Sequence, residues 1–171
     1  MTIDQAFAVE LEQRVAGSPE VVFEYFTDPE KYRSWKGLDA ELDARPGGTY
    51  RVTMGPEIWV SGTYIAVEPP HLIRMTWGFE SSSAELPRGL AQVPAGTSTV
   101  EFNFESDGDS TIVRVRHVGL PTEDARFAHD LGWKAYLPRL ATVSAGGDPG
   151  EDPTLEMGAL LYERDASVPP T

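Results

Sequence analysis

Three histidines and a set of large aromatic side chains are the groups in this chain that could do chemistry. His117 follows Val113 and Val115 on one strand face, so its imidazole is expected to point inward. His129 stands four residues before Trp133, on one side of a helix. Two inward imidazoles would suit an acid–base pair or half of a metal site. The plainer alternative is a histidine hydrogen-bonded to backbone at each place. A metal site would also need a convergent carboxylate, and no spacing indicates one. His71 follows Pro69 and Pro70 at a strand start and is expected to be exposed. Asp107-Gly108-Asp109 is too short for a calcium loop and reads as a hairpin turn. Nothing resembles a nucleophile elbow, a P-loop or a zinc signature. No catalytic residue, metal or cofactor is therefore assigned.

The aromatic set is richer. Trp35, Tyr50, Trp59, Tyr64, Trp77, Phe79, Phe102, Phe104, Trp133 and Tyr136 fall on candidate inner faces or beside them. As a core they need no further explanation. Yet so many rings on one curled sheet and its helix cannot all pack without gaps. A hollow walled by aromatics with a few polar tips is what a small-molecule pocket looks like. With Met75 and His117, these residues form the expected ligand-binding cavity. Tyr50, Tyr64, Arg74 and His117 could supply the polar tips, although Arg74 has outward parity on simple alternation.

The elements that must position these groups follow from periodicity. Phe7, Val9, Leu11 and Val15 alternate with polar residues as in a half-buried strand. Ser18-Pro19-Glu20 and Asp28-Pro29-Glu30 are helix starts, so two short helices follow. Leu38–Leu42, Tyr50–Met54 and residues 57–67 read as strands, with a bulge or bend expected at Gly62. Ile73, Met75, Trp77 and Phe79 share a face of the next strand. Residues 80–96 are irregular, and Leu86, Leu90 and Val93 could make them a lid; a tolerated surface insertion explains them equally well. Val100–Phe104 and Ile112–Val118 form a hairpin. Thr122 caps a long helix through Leu140, with Pro138 expected to kink its last turn.

Consecutive strands joined by short turns mean an antiparallel sheet. One long helix can cover only one face of six or seven strands, so the sheet must curl around it. The expected fold class is α+β: a curved sheet gripping a long C-terminal helix, with two short helices after the first strand. Residues 1–143 form this domain. Residues 144–171 form a tail with a possible short helix at 154–164 that either pads the sheet or pairs with a second protomer in a homodimer. The last seven residues are expected to be disordered.

Several segments carry a resemblance. Ser18-Pro19-Glu20-Val21-Val22-Phe23, Trp35 and Pro46-Gly47-Gly48-Thr49-Tyr50-Arg51 look like the opening of the START/Bet v 1-like (SRPBCC) superfamily, whose helix-grip fold matches this element order. Gly62-Thr63-Tyr64, Glu68-Pro69-Pro70-His71-Leu72, Thr76-Trp77, His117-Val118-Gly119-Leu120-Pro121 and Gly132-Trp133 resemble the branch similar to the C-terminal domain of activator of Hsp90 ATPase homologues. The resemblance covers about residues 6–143. It implies a chaperone-interacting, ATPase-stimulating module as one function and a polyketide cyclase or hydrolase as another. The residues themselves favour a third: a cavity that holds a small hydrophobic molecule, in a protein that is not clearly an enzyme.

Composition narrows the partners. The chain has 171 residues, 14 Lys+Arg and 27 Asp+Glu, for a formal net charge of −13. A surface that negative repels nucleic acid and anionic lipid. Cysteine is absent, which excludes disulfides and thiolate sites and fits a reducing, cytoplasmic compartment. No apolar stretch is long enough to span a membrane. Residues 1–14 alternate instead of forming an apolar block, so no signal peptide is expected.

Overall fold

The computed structural model describes residues 7–82 and 85–169; the start of the alternating N-terminal stretch lies outside them. The chain runs β1 (Val9–Ala16), α1 (Pro19–Thr27), α2 (Pro29–Arg33), β2 (Asp39–Leu42), β3 (Thr49–Gly55), β4 (Ile58–Glu68), β5 (Leu72–Ser81), α3 (Arg88–Ala91), β6 (Ser98–Asp107), β7 (Ser110–Val118), α4 (Glu123–Ser144) and α5 (Thr154–Ser167). The seven strands form one antiparallel sheet in the order β1-β7-β6-β5-β4-β3-β2. Strands β2 to β7 are a meander. β1 joins it beside β7, and α1 with α2 makes the crossing from one sheet edge to the other.

The local signals explain these elements. Ser18 Oγ accepts a hydrogen bond from the Val21 N–H, and Pro19 fills the first turn of α1. Asp28 ends α1 and starts α2, its carboxylate accepting from the N–H groups of Glu30 and Lys31. Thr122 caps α4 through the Ala125 N–H, and the helix continues past Pro138 to Ser144. Asp107-Gly108-Asp109 is the turn of the β6–β7 hairpin.

Alternation along the strands builds one apolar face. Ile73 pairs across to Phe102, Met75 to Val100, and Phe102 in turn to Val115. Phe23 and Phe26 of α1 pack tilted and edge-on against Phe104, with ring centres 5.0 and 5.1 Å apart. The long helix α4 lies on this same face, bringing Trp133 to 5.6 Å from Phe102 and 5.1 Å from Trp77.

Three local expectations need correction. The ladder irregularities fall at Thr53–Gly55 and Tyr64–Ala66, while Gly62 stays in register opposite Tyr50. Glycine is required there for close approach: a Cβ would lie 2.2 Å from the Thr76 carbonyl oxygen, the atom that accepts the Tyr50 hydroxyl at 2.7 Å. Segment 80–96 is partly regular, since β5 runs to Ser81 and α3 follows. The tail helix extends beyond residue 164 to Ser167, and Arg88 donates to the Val168 carbonyl just after it; residues 170–171 lie outside the described set.

Candidate functional site

A cavity of about 380 Å³ lies between the sheet and the two last helices. Its wall is built by Trp77 and Phe79 of β5, by His129, Gly132, Trp133 and Tyr136 of α4, and by Met54, Gly55 and Ile58 at the β3–β4 turn. Leu86, Pro87 and Leu90 close it from the segment around α3. Leu155, Met157, Gly158 and Leu161 of α5 form its roof. Lys36 reaches it from the turn after α2.

The roof is fastened by polar contacts. Asp124 of α4 has only 1% of its side chain exposed and pairs with Arg88 at 2.9 Å and Arg164 at 3.0 Å. Arg88 N–H also donates to Asp165 at 2.7 Å. One carboxylate thus ties α3 and α5 to α4. At the other end of α5, Asp152 accepts from the Tyr136 hydroxyl at 2.8 Å, the Thr154 N–H at 2.9 Å and the Gly37 N–H at 3.1 Å. Arg139 donates to the carbonyls of Trp35, Pro149 and Glu151, holding the intervening tail on α4.

The twelve residues expected to line a cavity divide into groups. Trp77, Phe79, Trp133 and Tyr136 line it. Trp35, Tyr50, Tyr64, Met75, Phe102 and Phe104 are buried in the core without reaching it. Trp59 is a correction. It faces outward, opposite Thr53 and Glu80, and the Arg51 guanidinium stacks 3.9 Å from its ring centre. The odd–even register of β4 puts Val60 inside and therefore Trp59 outside. Arg74 also faces out, ion-paired to Glu101 at 2.7 Å. A larger hollow of about 690 Å³ on that outer side is open and edged by the exposed Arg51–Glu80 pair.

His117 sits behind Trp133, fully buried, and its hydrogen bonds fix its state. Trp133 Nε1–H donates to His117 Nδ1 at 3.1 Å, so Nδ1 carries no proton. His117 Nε2–H therefore donates to Ser98 Oγ at 2.8 Å, and Ser98 donates onward to the Trp77 carbonyl at 2.9 Å. The partners of His117 are side chains, and both of its nitrogens are committed. His129 does bond to backbone: Nδ1–H donates to the Ala125 carbonyl at 2.7 Å, leaving Nε2 as an acceptor without a partner among the described residues. The two rings meet edge to face at 4.8 Å. His71 is exposed. Among the described residues, no three His, Asp or Glu side chains converge as a metal site requires.

Burial sets the charges here. It pulls His117 well below the ordinary histidine value, with His129 adding to the fall. Burial also lowers His129 to about 4, opposed by its bond to Ala125 and helped by Lys36. Both folded values lie below the unfolded one, so the native state favours neutral rings. Their contribution to stability is present above about pH 6.5 and is lost as pH falls, for His129 down to about 4. The loss for His129 is expected to be on the order of 3 kcal/mol. Histidine Cε1–H shifts followed by NMR check it: His117 should not titrate before the fold is lost.

Sequence reasoning missed Lys36. It is only 3% exposed, burial lowers it to about 7, and the more distant Asp152 pulls the other way. Its Nζ lies 3.6 Å from Met54 Sδ and 4.7 and 4.9 Å from the ring centres of Tyr136 and Trp77. No local pattern marks it, because a lysine at the end of a short helix is ordinarily solvated.

Comparison with known proteins bears on this arrangement. The sequence pattern described as "Activator of Hsp90 ATPase homolog 1-like protein" matches residues 16–145. The chain belongs to that family. The match ends near the end of α4, so α5 lies beyond it. No curated protein matches the chain. Among solved structures, an AHSA1-like protein from Rhizobium etli is 37% identical, with a TM-score of 0.62 over 86% of this chain and 87% of that one. DynU16, from the dynemicin biosynthetic locus, is 20% identical with a TM-score of 0.68 over 85% of this chain and 50% of that one. An Hsp90 activator from Plasmodium falciparum is 23% identical with a TM-score of 0.59 over 82% of this chain and 96% of that one. The last two share the family's fold. No helix among the described residues is long and apolar enough to cross a membrane.

Proposed function

We propose that the protein binds a small hydrophobic or aromatic molecule in the cavity between β5, α4 and α5. The observation that carries this reading is a hollow of about 380 Å³ whose wall is almost wholly apolar. That size lies in the range of small-ligand sites. Burying a ligand of bicyclic-arene size there removes its apolar surface from water at about 25 cal/mol per Å². A reaction driven by His117 is disfavoured, since its two nitrogens are held by Trp133 and Ser98.

Gly132 supplies the test. It lines the cavity from α4, and a Cβ there would meet nothing within 4 Å. Gly132→Leu is expected to fill the hollow while gaining up to about 1 kcal/mol of helix propensity. Apolar arenes should raise the melting temperature of the natural protein and leave that of Gly132→Leu unmoved. Equal shifts in both would remove the cavity as the binding site.

Family membership supports a second reading, an interaction module for an Hsp90-type chaperone. A pull-down against the chaperone, with its ATPase rate measured alongside, tests that reading. Neither binding nor a change in rate would end it.

A further inference from the structure

Among the groups lining the cavity is a buried amine, which a purely apolar container would lack. The chain has three lysines, Lys31, Lys36 and Lys134. Lys31 is paired with Glu24, and Lys134 with Asp130 at 2.8 Å; neither is buried. Lys36 alone is buried, and among the described residues no carboxylate stands within ion-pair distance of it. Its backbone leaves it little choice of direction. The Trp35 carbonyl is held by Arg139, the Trp35 indole N–H by the Tyr25 carbonyl, and the Gly37 N–H by Asp152. Between these fixed points the side chain enters the cavity, where Nζ faces Met54 Sδ and the rings of Trp77, Tyr136 and, at 5.8 Å, Trp133.

Such a surrounding partly offsets a cation through the ring faces but gives it no oxygen acceptor. An amine in this position is a nucleophile wherever its free base is populated. We propose that Lys36 captures the carbonyl carbon of an apolar aldehyde or ketone as a reversible imine, anchoring the ligand covalently in the cavity. The inference rests on the cavity-binding reading above and adds the chemical class of ligand. The Lys36 nitrogen forms a bond to the carbonyl carbon, and the carbon–oxygen bond breaks. The two amine protons leave with that oxygen as water, and no electrons are exchanged with any other reagent. The free amine and the imine are both neutral, so the step places no charge in the cavity, and the apolar wall disfavours water's return.

The free base is available near neutrality, because burial brings Lys36 to about 7. The titratable groups facing it are Asp152 from the tail and His129 and Tyr136 from α4. Asp152 raises Lys36. His129, itself lowered to about 4, is neutral at pH 7. Burial, with Asp152 adding, raises Tyr136, which keeps its proton.

The test uses 2-naphthaldehyde as probe, trapped at pH 7 with borohydride and mapped by peptide mass spectrometry. Labelling at Lys36 is expected to exceed that at Lys31 on the order of 1000-fold, because about half of Lys36 is free base at pH 7 while the bond to Glu24 holds Lys31 above the ordinary lysine value. It should be suppressed by 2-methylnaphthalene, which has the shape without the carbonyl, and absent in Lys36→Met. Thermal shifts with 2-methylnaphthalene separate the two claims. A shift with label spread evenly over the three lysines overturns the imine and leaves the cavity reading standing. No shift and no label at Lys36 overturns both.

Discussion

Lys36→Met is expected to make the protein more stable at pH 7, by about 4 kcal/mol. Lysine is ordinarily half-protonated at 10.5, and here at about 7. Between those values the folded chain binds fewer protons than the unfolded chain. The stability that Lys36 contributes is therefore complete above about pH 10.5 and declines as pH falls to about 7. At neutral pH the fold is holding a side chain whose charged form it disfavours. Methionine has a similar length and shape, needs no solvation and suits a wall of rings. The gain should shrink steadily as pH is raised toward 10.5. Urea unfolding of both proteins at several pH values measures it. A Lys36→Met protein less stable than its parent would mean that the cation–π contacts outweigh desolvation. A stabilising substitution at a cavity wall is also what a residue retained for function would show.

Asp124→Asn is expected to cost about 3–5 kcal/mol, because it leaves Arg88 and Arg164 without the carboxylate between them. Asparagine keeps the shape and one acceptor but not the charge. The damage should be local. The sheet owes its stability to the apolar face of β3–β7, whereas α3 and α5 are tied to α4 through Asp124. Hydrogen exchange is expected to accelerate in residues 86–91 and 154–167 and to stay unchanged in β5–β7. Acceleration spread evenly over the chain would show that Asp124 supports the whole core.

Much of the fold was legible in the residues because it rests on short-range rules. Ser18, Asp28 and Thr122 cap helices as their types predict, and strand alternation places Ile73, Met75, Trp77, Phe102 and His117 inward. The site was less legible because it depends on distant segments. Leu86 and Leu90 read equally well as a lid or as part of a surface insertion, and only the structure places them at the cavity. Nothing local could show that Leu155 to Leu161 lie above Trp77, since that placement is fixed by Asp124 and Asp152. Trp59 misled because an aromatic on a strand reads as interior, and only the register settles its side. Lys36 was invisible because its burial is imposed by Arg139 and Asp152, roughly a hundred residues further along the chain.

The two fastenings of α5 sit at opposite ends of that helix, Asp152 beside its first residue and Arg164 with Asp165 near its last, while the stretch between them offers mostly methyl and ring surface. The helix is a beam bolted at both supports and greased beneath. A guest bound as proposed would leave faster when a bolt slips, yet its grip while inside would come from surfaces that the bolts do not share. Residence time and affinity for the proposed ligand would thereby be set by different parts of the chain: Asp124→Asn should hasten arrival and departure together and leave their ratio where it was.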